Sequence, residues 1–277
     1  MRPILLLALL AACAAPRPPC PAAPVATQGA PFLWHASKGG PAIWLYGTIH
    51  DAGLDAVPAV ALDALSHSAR LVTEIGDVTP DPDEFRELVR IAHGKGIDQL
   101  LPADDWWELR DALLGTIKED QLRRVRPWYA MSLLSNTLAP ARGPSMDVEL
   151  AARAKQLAIP VEALETWQAQ LAALDHAVGV ADLQQAIHAR ASMRCSLARL
   201  VTAYRAGDIA TMQALLVVPR TADTLLTARN RAWLPAIEKD LAHGGAFVAV
   251  GLGHLLGDEG LVAMLERAGY SVERVAR

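Results

Sequence analysis

Two short runs near opposite ends of the chain constrain its fold most. Trp44-Leu45-Tyr46-Gly47 continues into Thr48-Ile49-His50, and Phe247-Val248-Ala249-Val250-Gly251 continues into Leu252-Gly253-His254. Each is an apolar strand followed by G-x-x-H. A strand without polar interruption suits a sheet covered on both faces, as in mostly parallel α/β architectures. The glycine permits a tight turn or a close backbone approach where the strand ends. The histidine is carried past the carboxyl end of the strand, the edge at which open α/β sheets bind ligands.

Three further runs read as strands: Arg70–Ile75, 159–164 and 271–275, beside the first pair at 42–47 and 246–251. Helical patterns fill the intervals. They cover 58–69, 80–93, 104–120, 127–138, 146–157, 166–174, 181–204, 208–216, 222–243 and 257–268, the last closed by Gly269. The order is β-α-β, a long helical middle, then β-α-β. The fold class expected from this order is α/β (α+β), one sheet with a helical insertion.

Residues 1–12 read as a secretory signal: Arg2, an apolar core from Ile4 to Leu10 too short to span a bilayer, then small residues. Leu10-Ala11-Ala12-Cys13 resembles a lipobox, which predicts a lipid on Cys13 and an outer-membrane lipoprotein facing the periplasm. Residues 13–31 are rich in Pro and Ala and read as an extended tether. The globular part spans 32–277. Of the other cysteines, Cys20 lies in the tether and Cys195 in a helical stretch; the expectation is a buried, inert Cys195 rather than a Cys20–Cys195 pair. With 52% hydrophobic and 20% charged residues the chain has a substantial core, and a net charge of −4 argues against a nucleic-acid partner.

The candidate chemistry lies at the sheet edge. Glu74 ends an otherwise apolar strand, where a carboxylate must reach solvent, a cation or a metal. If the strands at 42–47, 70–75 and 246–251 are neighbours, His50, Glu74 and His254 converge. Two imidazoles and a carboxylate leave open positions on a divalent ion such as Mn²⁺, Co²⁺ or Zn²⁺, and a metal-bound water becomes a nucleophile near neutral pH. Taken singly, each of the three also reads as an ordinary loop histidine or a strand-edge acid. Arg229 shares a helix stripe with Leu226, Trp233, Ile237 and Leu241. It needs an acidic partner or a substrate anion, or else snorkels to water. Glu165 is either another sheet-edge carboxylate or a first-turn acid, and Asp147 reads as a cap or first-turn acid. HExxH, G-x-S-x-G, Walker and G-x-G-x-x-G patterns are missing from the sequence.

The stretches LWHASKGGPAIWLYGTIH, LVTEIGD, LETWQAQLAALD, TARNRAW and FVAVGLGHLLGDEGLVAMLERAGYSVERV, in this order, resemble the TraB/PrgY/GumN family, its bacterial GumN-like branch above all. The resemblance covers roughly residues 32–277. It implies likeness to the Tiki metalloproteases and to erythromycin-esterase-like folds, with a mixed sheet flanked by helices and built from two similar β-α halves. It implies a metal or catalytic set of His50, Glu74 and His254, with Arg229 of the Arg229-Asn230 pair as an accessory. The function implied is a metal-dependent hydrolase of the cell envelope acting on a peptide or similar amide. The alternative is an envelope protein that binds a peptide or an anionic small molecule without cutting it.

Overall fold

The computed structural model describes residues 20, 29–138 and 143–276. The expected signal segment, the expected lipid-acceptor Cys13 and most of the expected tether lie outside these residues. Gly29–Pro31, the end of that tether, are fixed to the fold. The Gly29 amide donates to the Arg205 carbonyl, and the Arg274 guanidinium donates to the carbonyls of Ala30 and Pro31.

Six strands form one mixed sheet: β1 (Leu33–Ser37), β2 (Ala42–Thr48), β3 (Arg70–Thr73), β4 (Val161–Ala163), β5 (Ala246–Gly251) and β6 (Ser271–Arg274), in the order β4-β3-β5-β2-β1-β6. The pairs β4–β3, β3–β5 and β5–β2 are parallel, whereas β1 runs antiparallel to both β2 and β6. The chain is thus an α/β protein. Strand β1 is one that sequence patterning did not mark, because His35 and Ser37 break its apolar run. Its Leu33 and Ala36 are nonetheless fully buried.

Burial explains the apolar runs. Ala246 to Val250 of β5 are each 0% exposed, since neighbouring strands flank β5 and helices cover both of its faces. The main core gathers around these strands. A second core, built from Trp106, Leu109, Leu134, Leu183 and Ile187, lies in the helical middle between β3 and β5. The long helix Val180–Ala206 joins the two, contributing Leu183 and Ile187 to one and Ala203 and Tyr204 to the other. It ends at Gly207 with φ 64°, a left-handed cap that glycine adopts without strain.

Cys20 and Cys195 form a disulfide, with Cα atoms 5.2 Å apart. This corrects the expectation of an inert thiol. Cys195 is only half-buried on the long helix, so its sulfur is reachable from the N-terminal segment. Among the described residues no helix is long and apolar enough to cross a membrane.

Candidate functional site

Parallel pairing brings the carboxyl ends of β2, β5 and β3 side by side, as the sheet-edge expectation required. Beyond them stand His50, His254 and Glu74. Two of the three meet. Glu74 Oε1 lies 3.8 Å from His254 Nε2 and accepts the Gly251 amide at 2.8 Å. Glu74 Oε2 accepts from Arg229 Nη2 at 2.6 Å and from the Gln170 side-chain amide at 2.7 Å.

Arg229 is the hub of this cluster. A wide turn of π-type at Asp223–Thr227 feeds the helix Ala228–His243, and Arg229 sits in its first turn. Its Nε and Nη2 donate to Glu165 at 3.1 and 2.5 Å, and its Nη1 donates to the Leu225 carbonyl at 3.0 Å. Trp233, one turn on, places its ring 4.6 Å from the guanidinium and donates its indole N–H to Glu165 at 3.3 Å. Of the readings open for Arg229, the acidic partner is realised twice over. Glu165, directly before the helix cap Thr166, is a sheet-edge carboxylate.

The protonation of His254 follows from its partners. The Asn230 side-chain nitrogen donates to the carbonyls of His254 and Glu259 at 3.1 and 2.9 Å. Asn230 Oδ1 is left as an acceptor, 2.7 Å from His254 Nδ1. Nδ1 therefore carries the hydrogen and Nε2 keeps its lone pair, to which Arg229 Nη1 donates at 3.0 Å. Burial, with the positive Arg229 and His50 nearby, lowers the His254 pKa to about 4 against the pull of Glu74. Burial would raise Glu74, but the attraction of His254 and Arg229 and the Gly251 N–H outweigh it and bring Glu74 down to about 2.

His50 lies near enough for its charge to act on Glu74 and His254, but it makes no hydrogen bond into this cluster. Its Nδ1 lies 3.3 Å from Asp147 Oδ2, while Asp147 Oδ1 accepts the Thr48 hydroxyl at 2.6 Å. The Asp147 carboxylate beside it, opposed by desolvation, raises the His50 pKa to about 9, so the ring is cationic at neutral pH. Asp147 is a first-turn acid of the helix Met146–Gln156, as its sequence position indicated. Its hold on His50 carried no sequence signal, since 97 residues separate the pair.

A divalent cation needs lone pairs converging on one point. Here the Glu74 oxygens and His254 Nε2 each receive N–H donors, and His50 turns to Asp147. Among the described residues no group of three or more His, Cys, Asp or Glu side chains is arranged to hold a metal ion. As arranged, His50, Glu74 and His254 do not fit a shared ion; the cation at the centre of the cluster is the Arg229 guanidinium.

His50 instead borders an open cleft of about 1220 Å³. Its ring is 77% exposed there, against 3% for His254 and 12% for Glu74. One wall is the loop after β2. The opposite wall is a single stripe of the helix Val180–Ala206, running from Arg190 and Arg194 through Leu197, Ala198 and Val201 to Arg205.

The model of the TraB/PrgY/gumN family matches residues 32–274. The chain belongs to the TraB/PrgY/gumN family. Neither a curated protein nor a solved structure gives a significant match.

In this TraB/PrgY/gumN protein, packing explains the leading glycine of each G-x-x-H. A Cβ on Gly47 would stand 2.4 Å from Leu252 Cδ1 and 3.2 Å from Leu252 Cα, so the first motif leaves room for the second. A Cβ on Gly251 would lie 3.2 Å from Glu74 Oε1, crowding the hydrogen bond that anchors this carboxylate. The two motifs thus interlock, although only the second delivers its histidine to the Arg229 cluster.

Proposed function

We propose that this TraB/PrgY/gumN protein is an envelope protein that takes a peptide or anionic small molecule into the cleft beside His50 and holds it without cutting it. One contrast carries the reading: the Glu74–Arg229–His254 cluster is closed by its own hydrogen bonds, whereas His50 is open to a large cleft and cationic at neutral pH. A carboxylate and an imidazole already engaged by N–H donors are poorly placed to activate water. The Asp147-held imidazolium is placed to bind a negative group.

A second reading, an envelope hydrolase, rests on the pair His50–Asp147. A histidine oriented by a carboxylate is a general acid in form, and here it faces open space. This reading names His50 as proton donor, with Glu74, Arg229 and His254 shaping the sheet edge behind it.

For location, we propose export through the 1–12 signal and lipid attachment at Cys13, with the protein standing on the periplasmic side of the outer membrane. The Cys20–Cys195 disulfide supports an oxidising compartment.

The test incubates purified protein with a mixture of short peptides bearing free C-termini, alone and with Mn²⁺, Co²⁺ or Zn²⁺, followed by mass spectrometry. The binding reading predicts intact peptides co-eluting with the protein and loss of co-elution in His50→Ala. Metal-dependent fragments that disappear in His254→Ala would overturn it in favour of a metallohydrolase. Metal-independent fragments that disappear in His50→Ala would establish the second reading.

A further inference from the structure

The cleft wall on the helix Val180–Ala206 carries three arginines in different states. Arg205 is paired with Asp55 across the cleft. Arg190 and Arg194, one turn apart on the same face, have no hydrogen-bond or ion-pair partner among the described residues, and Arg190 Nε is buried without any acceptor. A buried guanidinium N–H without an acceptor is costly, and it leaves the Arg190 head group held by none of its neighbours. The acids of the cleft are already engaged. Glu149 accepts the Leu54 amide, Asp55 holds Arg205, and Asp51 has a partner of its own. Glu149 keeps its negative charge against that neutral amide, but Arg190 and Arg194 outnumber it, so the unpaired charge among these residues is positive. Between the free arginines and Arg205 the wall is apolar, made by Leu197, Ala198 and Val201.

We infer that Arg190 and Arg194 form a subsite for the carboxylate of an amphipathic organic anion, whose apolar body lies along Leu197, Ala198 and Val201. The inference rests on the cleft-binding reading above and gives it a ligand class. A planar carboxylate suits two guanidinium forks, each able to donate in bidentate fashion. The Arg205–Asp55 pair closes the far end, so the ligand is short, a fatty acid or an apolar dipeptide rather than an extended polymer.

Calorimetric titration with octanoate and with acetyl-leucyl-leucine, each beside its carboxamide, tests this. The oxidised full-length mature protein binds the carboxylate form at least about tenfold more tightly than the amide, as expected for charge-assisted bonds. Arg190→Gln and Arg194→Gln each weaken carboxylate binding about tenfold and leave amide binding unchanged. Arg199→Gln, on an exposed part of the same helix outside the cleft, changes neither. Comparing the two probes tells a fatty tail from a peptide body. If carboxylate and amide bind equally, or the arginine variants bind as the wild type does, the subsite is wrong while the cleft reading stands. If none of the four probes binds and the peptide mixture is also refused, the cleft reading itself fails.

Discussion

Replacing Arg229 by Met tests whether one guanidinium holds the sheet edge together. The change keeps an unbranched apolar stem but removes every guanidinium N–H that now reaches Glu74, Glu165, the Leu225 carbonyl and His254. Glu74 and Glu165 are 12% and 11% exposed, so two carboxylates would remain buried with no cation between them. Removing one partner of a buried ion pair typically costs about 3–5 kcal/mol, and we expect about 4 here. For a chain of this size that lowers Tm by roughly 8–16 °C. Chemical denaturation read by tryptophan fluorescence reports the change directly, because Trp233 stacks on Arg229 and bonds to Glu165. The deficit should shrink as pH falls below about 5, since a carboxylate stripped of its cation takes up a proton more readily in the folded state than in the unfolded one. Arg229→Lys should recover part of the loss, restoring the charge but not the two-sided grip. Arg229→Met combined with Glu165→Gln should lose less than Arg229→Met alone. A loss under about 1 kcal/mol, or one that does not change with pH, would refute the reasoning.

Three other outcomes follow from the same structure. His254 has a folded pKa of about 4 against 6.5 when free, so the unfolded chain binds a proton that the folded one refuses; the stability present above pH 6.5 falls by up to about 3 kcal/mol on acidification through that window, and Glu74, held at about 2, adds to the loss below 4.5. His50 has the opposite sign: raised to about 9, its contribution is complete below 6.5 and disappears as pH rises through 9, so urea midpoints measured across pH should peak near neutrality and His50→Ala should flatten only the alkaline side. Gly47→Ala forces a methyl against Leu252 Cα and should cost about 1–3 kcal/mol by thermal melting, with an unchanged melt counting against the interlock of the two motifs. Reducing Cys20–Cys195 should lower stability by about 2–4 kcal/mol, as for other bridges that close long loops, and Cys195→Ser should show the same loss and no response to reductant.

The parts legible in the sequence are those where burial writes itself into composition. Strands β2 and β5 read as apolar runs because both their faces are covered; that β3, β5 and β2 lie side by side is a condition of the site reading which the sheet meets, with β5 in the middle. Strand β1 was hidden, because a strand of five residues with His35 and Ser37 in it has no clear period. At the site, Glu74 and His254 come together, and the place of Arg229 on an apolar helix stripe leaves an acid, a substrate anion or solvent open, of which the acid is realised. The identity of those acids was not legible: Glu165 and Glu74 lie 64 and 155 residues away. Nor was the departure of His50 from the cluster, which depends on Asp147 from a distant helix capturing the ring. Gln170 carried no signal, since a neutral amide in an amphipathic helix looks like any surface residue. Pairings of this kind are set by tertiary contact rather than by local pattern, and no residue spacing encodes them.

On the proposed function, the ligand meets His50 and His254 belongs to the scaffold behind it. Following the ring resonances of both histidines by NMR during titration with acetyl-leucyl-leucine tests this most directly. The expected result is a saturable shift of the His50 ring, an unmoved His254 ring and intact peptide at the end. A shift confined to His254, or cleavage of the peptide, would contradict it.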